Sequence, residues 1–171
     1  LLQPLQIGAQ GLVLLPGFVN CHTHLEHTLL AAEGGLSLPL ARQADFGSWL
    51  LGVVRLGRSV SQDWQDQLAR CRAGAEALLA CGTTCVADLS GQGASVPVLA
   101  DMGLRGSVCL EFFHPGPWSE ASRPVAERMA ATLAGLPRPE RLDIGLSPHA
   151  PYNVSPSAWR AMVELLKLPL M

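Results

Sequence analysis

Apolar residues along this chain fall into short continuous runs separated by stretches of helical period. The run "FVNCH" (Phe18–His22) is apolar on both faces, as a strand buried in a parallel sheet is, "TTCVADL" (Thr83–Leu89) reads as a strand rich in β-branched residues at its start, "RGSVCLEFF" (Arg105–Phe113) as another buried strand and "LDIGLSPH" (Leu142–His149) as a fourth. A further short strand is expected over Gly11–Leu15, before a turn at Pro16–Gly17. A long connection then runs from Thr28 to Ser59. Within it Phe46, Trp49, Leu50, Val53 and Val54 recur at i, i+3, i+4, i+7 and i+8, which predicts a helix with one apolar stripe. The next helix follows Ser61 as N-cap, carries Trp64, Leu68, Cys71, Ala75, Leu78 and Leu79 as its stripe, and stops at Gly82. A short helix over Ser95–Met102 stops at Gly103. Another over Arg123–Leu136 has Pro124 in its first turn and Gly135 near its end. The last starts with Ser155 as N-cap and Pro156 at N1, and is closed by Pro169.

Strands alternating with helices imply right-handed βαβ units and a parallel sheet. Four such units fit half of a (β/α)8 barrel, which as a whole needs about 250 residues. They also fit a small doubly wound sheet, and periodicity does not choose between the two. Neither a G-x-G-x-x-G nor a G-x-x-x-x-G-K-[ST] loop is present, which lowers the nucleotide-binding version of the second. The chain of 171 residues starts at Leu1 and ends at Met171 just after a helical run, so it reads as a piece of something longer. Residues 1–15 are expected to lead into the barrel, as a strand region linked to a small β-sandwich, and residues 16–171 to form its N-terminal half.

Composition narrows the partners. With 49% hydrophobic residues, 15% charged residues and a net charge of −2, the chain has no footprint for nucleic acid or an anionic membrane surface. No apolar run reaches the length of about 20 residues that spans a bilayer. The most apolar segment, Leu36–Leu56, is interrupted by Pro39, Arg42, Asp45 and Arg55. No basic patch followed by an apolar core marks a secretory signal. The five cysteines are an odd number without the spacing of a disulfide scaffold, so reduced thiols and a cytoplasmic protein are expected. Cys81 and Cys85 in "CGTTC" have no second pair to complete a zinc site and read as buried thiols.

The segment "LPGFVNCHTHLEHT" holds three of the five histidines. His22 and His24 are two apart, so on a strand both point to one face. At the C-terminal end of a barrel strand that face is the mouth, where catalytic groups sit. Two converging imidazoles make half a site for zinc or a similar metal. The alternative is two polar side chains in a solvated loop. Glu111, in the otherwise apolar "VCLEFF", is a functional candidate if it lies at the mouth, and a plain outward-facing carboxylate if it does not. Asp88 after the second strand is a similar, weaker case. Phe46 and Trp49 either line a substrate pocket or pack in the core. His27 and His114 carry no assigned role.

"LPGFVNCHTHLE" closely resembles the first-strand motif of the amidohydrolase superfamily, in its metal-dependent deaminase and chlorohydrolase branch. "CGTTCVADL" resembles that family's second-strand segment, and "GLSPHAPYNVSP" its Pro-His-Ala-Pro-Tyr segment after the fourth strand. The three stand in the family's order and span nearly the whole chain. The resemblance implies a distorted (β/α)8 barrel and one divalent metal ion, zinc before iron or manganese. It implies hydrolysis in which metal-bound hydroxide attacks an electron-poor ring carbon that carries an amine. His22 and His24 are then metal ligands, and His149 contacts substrate. Glu26 stands where an acidic residue contacts the sugar in related adenosine-type deaminases. The remaining ligands, the proton-shuttling Glu and the eighth-strand Asp are expected beyond residue 171, so this stretch alone is expected to be inactive.

"HTHLE", the later "F-x-x-W-L" and "LEFF" further resemble the branch that deaminates 6-aminodeoxyfutalosine, an adenine nucleoside of menaquinone biosynthesis. The expected partner is therefore a small nucleoside-like molecule, with a homodimer as one way to complete the barrel. The alternatives are deamination of S-adenosylhomocysteine, methylthioadenosine or another purine, a chlorohydrolase or amide hydrolysis on the same scaffold, and a truncated homologue without catalysis.

Overall fold

A computed structural model describes Gly11, residues 13–28 and residues 45–166. The first ten residues of the expected N-terminal region, residues 29–44 of the long connection and the stop at Pro169 lie outside the described residues. Four strands form one sheet: β1 (Phe18–Thr23), β2 (Thr83–Ser90), β3 (Arg105–Phe112) and β4 (Leu142–Pro148). The helices are α1 (Phe46–Ser59), α2 (Trp64–Ala80), α3 (Ser95–Asp101), α4 (Arg123–Gly135) and α5 (Pro156–Leu166). All neighbouring strands are parallel, and their spatial order is their chain order, β1-β2-β3-β4. A doubly wound sheet must reverse its strand order at a switch point. This sheet never does, so it is an arc of a (β/α) barrel rather than a small doubly wound sheet.

Register assigns the two faces. Asp88, Val108 and Ile144 stand side by side, as do Ser90, Leu110 and Leu146. That face carries the core, where Val86, Val108, Leu110 and Phe112 pack against Cys71 and Ala75 of α2, Leu99 of α3, Leu133 of α4 and Met162 of α5. The other face, with Cys85, Ala87, Cys109 and Glu111, is only half-buried. The "FVNCH" strand, β1, was expected to be buried on both sides, but it is mostly exposed. Among the described residues nothing packs across the second face, which would be the barrel interior. On β1, at the edge of the described sheet, Phe18 and Val19 are 61% and 62% exposed. The strand expected at Gly11–Leu15 does not form over residues 13–15: residues 13–17 have no ladder partner among the described residues, and Leu14 is 95% exposed.

Local chemistry sets the element ends. The Leu104 N–H reaches the Leu99 carbonyl and the Gly103 N–H the Ala100 carbonyl, closing α3 with Gly103 at φ +73°. Gly106 lies where β2 and β3 approach most closely, and a Cβ there would collide with the Val86 carbonyl oxygen. Ser155 caps α5 through the Ala158 N–H, as expected. At α2 the cap is Asp63 rather than Ser61, and Ser61 Oγ instead accepts from the Asp63 N–H. The buried face of α2 is also rotated from the expected stripe. It runs through Gln67, Arg70, Cys71, Gly74 and Ala75, while Trp64 and Leu79 are partly exposed. Two polar residues can lie inward because Gln67 donates to the Gln62 carbonyl, and Arg70 donates to those of Glu26 and Ser61. All five cysteines are free thiols. Cys81 is exposed rather than buried, because it caps α2 at a surface turn. No helix among the described residues is long and apolar enough to cross a membrane.

Candidate active site

Side chains at or just past the C-terminal ends of β1, β3 and β4 border one cavity of about 750 Å³. β1 contributes the histidine pair through an irregularity in its register. Asn20 faces Val86 and Thr23 faces Asp88, so Cys21 and His22 together lie opposite Ala87 alone. Such a bulge re-aims a side chain, and here it aims His22 into the cavity. His24 lies just past the strand end, and a single 3-10 turn, Leu25–His27, follows it. The same-face rule drawn from strand alternation thus reaches the right outcome by a different geometry.

The His22 and His24 rings meet edge-on with centroids 5.1 Å apart. Two imidazoles on one tetrahedral zinc, at Zn–N of about 2.0–2.1 Å, place their centroids about 5 Å apart. Burial lowers the His24 pKa, and the His27 and His22 charges add to this against the opposing Glu111 and Glu26 carboxylates. A neutral imidazole is the form that binds metal. The pair therefore fits a divalent ion as two of its ligands. Among the described residues no group of three His, Cys, Asp or Glu side chains forms a complete cage. His27, without a role in the sequence reading, stacks on His24 (5.4 Å, 13°) and lines the cavity.

Glu26 lies in the turn after His24. Its carboxylate accepts from Ser90 Oγ at 2.9 Å and from the Gly91 N–H at 3.0 Å. It borders the cavity, anchored by the end of β2 rather than by a surface salt bridge. Its backbone carbonyl accepts from Arg70 Nε at 3.0 Å. Glu111 lies on the interior face at the end of β3 and also borders the cavity, so it does not simply point outward. Asp88 behaves otherwise: it is on the core face, 1% exposed, and is no wall of the cavity.

His149 follows β4. Its Nδ1 accepts from the Asn153 amide at 2.7 Å, which leaves the Nε2 proton of the neutral ring as a donor. Phe113 lies against the ring at 4.5 Å and Tyr152 meets it edge-on at 6.0 Å. Asn153 was not singled out from the sequence. Its place four residues after His149, across the Pro151 turn, is the signal that was available. His114 is structural: Nδ1 bonds the Gly116 carbonyl and Nε2 the Ser122 hydroxyl, tying down the loop after β3.

The far wall is α1. Asp45 caps it through the Ser48 N–H at 2.8 Å, and its stripe of Phe46, Trp49, Leu50, Val53 and Val54 faces the cavity. Phe46 and Trp49 are thus pocket walls rather than core. One wall is apolar and the other carries imidazoles and carboxylates, a lining that suits a heteroaromatic ligand with polar substituents.

The Amidohydrolase family profile matches residues 13–167. The 5-methylthioadenosine/S-adenosylhomocysteine deaminase of Desulforudis audaxviator is 32% identical over 164 residues, covering 92% of this chain and 35% of that protein. The aminodeoxyfutalosine deaminase of Deinococcus radiodurans is 30% identical over 160 residues, covering 90% and 34%. This chain therefore spans about a third of the length of the curated relatives it matches. Among solved structures, the Helicobacter pylori aminofutalosine deaminase bound to methylthio-coformycin superposes with a TM-score of 0.65 at 24% identity, over 89% of this chain and 34% of that one. The atrazine chlorohydrolase of Arthrobacter aurescens TC1, complexed with zinc, gives 0.68 at 20% identity, over 90% and 38%. Both likenesses are of fold.

Proposed function

This chain belongs to the amidohydrolase family, and from that premise we propose that it is the N-terminal half-barrel, residues 16–171, of a cytoplasmic metal-dependent deaminase of adenine-type nucleosides. The observation that carries the reading is the convergence of His22, His24, Glu26, Glu111 and His149 on one cavity at the strand ends. His22 and His24 would hold the ion, zinc first, with further ligands supplied outside the described residues. A divalent ion there would supply a water activated as nucleophile near neutral pH. The chain's own residues do the rest of what lies in this half. His149 presents its Nε2 proton as a donor to a ring nitrogen or hydroxyl. Glu26, held by Ser90 and Gly91, accepts from sugar hydroxyls. The α1 stripe covers the apolar edge of the ligand and excludes water.

For the substrate itself we propose 6-aminodeoxyfutalosine. The residues of "HTHLE", "F-x-x-W-L" and "LEFF" that resemble that branch, Glu26, Phe46, Trp49 and Glu111, all border the cavity. A second reading, methylthioadenosine or S-adenosylhomocysteine, is favoured by the names of several relatives. The test is ammonia release by the full-length metal-loaded protein on these three nucleosides and adenosine in parallel. Turnover of the first well above the others, lost in His22→Ala, is expected. Preference for methylthioadenosine or S-adenosylhomocysteine selects the second reading. No release from any of them by metal-loaded protein overturns the deaminase assignment.

A further inference from the structure

Asp88 is the most deeply buried carboxyl of the described residues that has no place in the cavity wall, at 1% exposure. Its Oδ1 accepts from Thr23 Oγ1 at 2.8 Å and from the Leu25 N–H at 2.9 Å. Those two residues flank His24 on either side. The strand register puts Thr23 directly beside Asp88, so the first contact spans adjacent strands and the second reaches past the end of β1. His24 itself has an irregular backbone, φ −131° and ψ 77°, outside strand and helix. Its own carbonyl is held by the His27 N–H, and the residues on either side of it are held by Asp88. Among the described residues no other side chain bonds both Thr23 and Leu25. The second oxygen, Oδ2, and the nearby Ser95 Oγ are buried without a complete hydrogen bond, so the charge is not retained for a satisfied core network.

We propose that Asp88 is a positioning residue for the histidine pair: one buried carboxylate oxygen straps the backbone on both sides of His24 and so sets the angle at which His22 and His24 meet. This rests on the reading of those histidines as metal ligands. Groups that orient metal ligands in this way typically change metal affinity 10–100-fold when removed. Only one oxygen does the strapping, so Asn can replace Asp. The Asn oxygen takes over both contacts, and its amide turns a donor toward the unpartnered Ser95 hydroxyl. A residue that merely fills the core would lower the metal-free thermal midpoint when cut to Ala and leave zinc affinity at the wild-type level.

The test measures zinc affinity of the full-length protein by competition with a chromophoric chelator, beside the thermal midpoint of the metal-free form. Asp88→Ala is expected to weaken zinc binding about 10–100-fold, and Asp88→Asn by less than about tenfold. Thr23→Val cuts one strap and leaves Asp88 in place. It is expected to weaken zinc binding severalfold and to lower the metal-free midpoint less than Asp88→Ala does, and it decides the matter if Asp88→Ala does not fold. Wild-type affinity in Thr23→Val, or Asn as poor as Ala, overturns the positioning role. If His22→Ala binds zinc as wild type does, the metal assignment itself fails, which is a separate result.

Discussion

Arg70 offers the sharpest energetic prediction. It lies on the buried face of α2, 2% exposed, and its guanidinium donates to the Glu26 carbonyl at 3.0 Å and the Ser61 carbonyl at 2.9 Å. It thereby links the turn after the histidine pair to the junction of α1 and α2, two walls of one cavity. Hydrogen bonds from a charged donor contribute about 1.5–3 kcal/mol each. Arg70→Met keeps the length and removes both of these, together with every other contact of the guanidinium. Part of that loss is offset, because the buried guanidinium no longer has to be desolvated. A net destabilisation of about 2–4 kcal/mol follows. The assay is urea unfolding of the full-length metal-free protein, with Arg72→Met as control. Arg72 pairs with Asp101 at 2.7 Å, but the two side chains are 49% and 63% exposed, so its loss should cost less than about 1 kcal/mol. Equal effects of the two substitutions would refute the reasoning that burial sets the magnitude.

Other predictions follow from the same geometry. Asn153→Leu removes one neutral hydrogen bond from His149, so kcat/KM on the proposed nucleoside substrate should fall about 2–13-fold, while an unchanged value would leave His149 as a turn residue only. Burial holds the Asp88 carboxyl above its usual range, against the hydrogen bonds from the Leu25 N–H and the Thr23 hydroxyl. Between the unfolded value of about 3.9 and the raised folded value, the folded state binds more protons, so stability falls as pH rises through that window. The urea midpoint of Asp88→Asn should therefore gain on wild type between about pH 4 and pH 7, and a gap that does not move would contradict this. Cys71 is 0% exposed, and burial, with the Asp88 and Glu26 charges, pushes its thiol up to about 12. It should resist iodoacetamide at pH 8 in the folded protein, and its alkylation there, read by peptide mass spectrometry, would contradict the packing of α2.

What was legible in the sequence divides along physical lines. Strand and helix order followed from period and capping, because "TTCVADL", Gly103 and Ser155–Pro156 act locally. The α1 stripe was visible for the same reason, but which side it faced was not. A stripe at helical spacing is identical whether it meets the core or a cavity, and only the neighbours of Phe46 and Trp49 decide. The inward turn of Gln67 and Arg70 was hidden because polarity argues against burial until the carbonyl partners are known. Asp88 and Glu111 looked alike in sequence, each a carboxylate late in an apolar strand. The pleat separates them, sending Asp88 to the helices and Glu111 to the cavity. The β1 bulge at Cys21–His22 left no mark in the pattern at all. The expected strand before Pro16 failed because an apolar run needs a ladder partner as well as apolar residues.

The central claim is that His22 and His24 hold a divalent metal at the cavity mouth. The measurement that tests it most directly is the metal content of the purified full-length protein and of its His22→Ala and His24→Ala variants, by elemental mass spectrometry. The account predicts close to one divalent ion per chain in the wild type and a loss of most of it in each variant. Full metal content in both variants, or none in the wild type under metal-replete conditions, would contradict it.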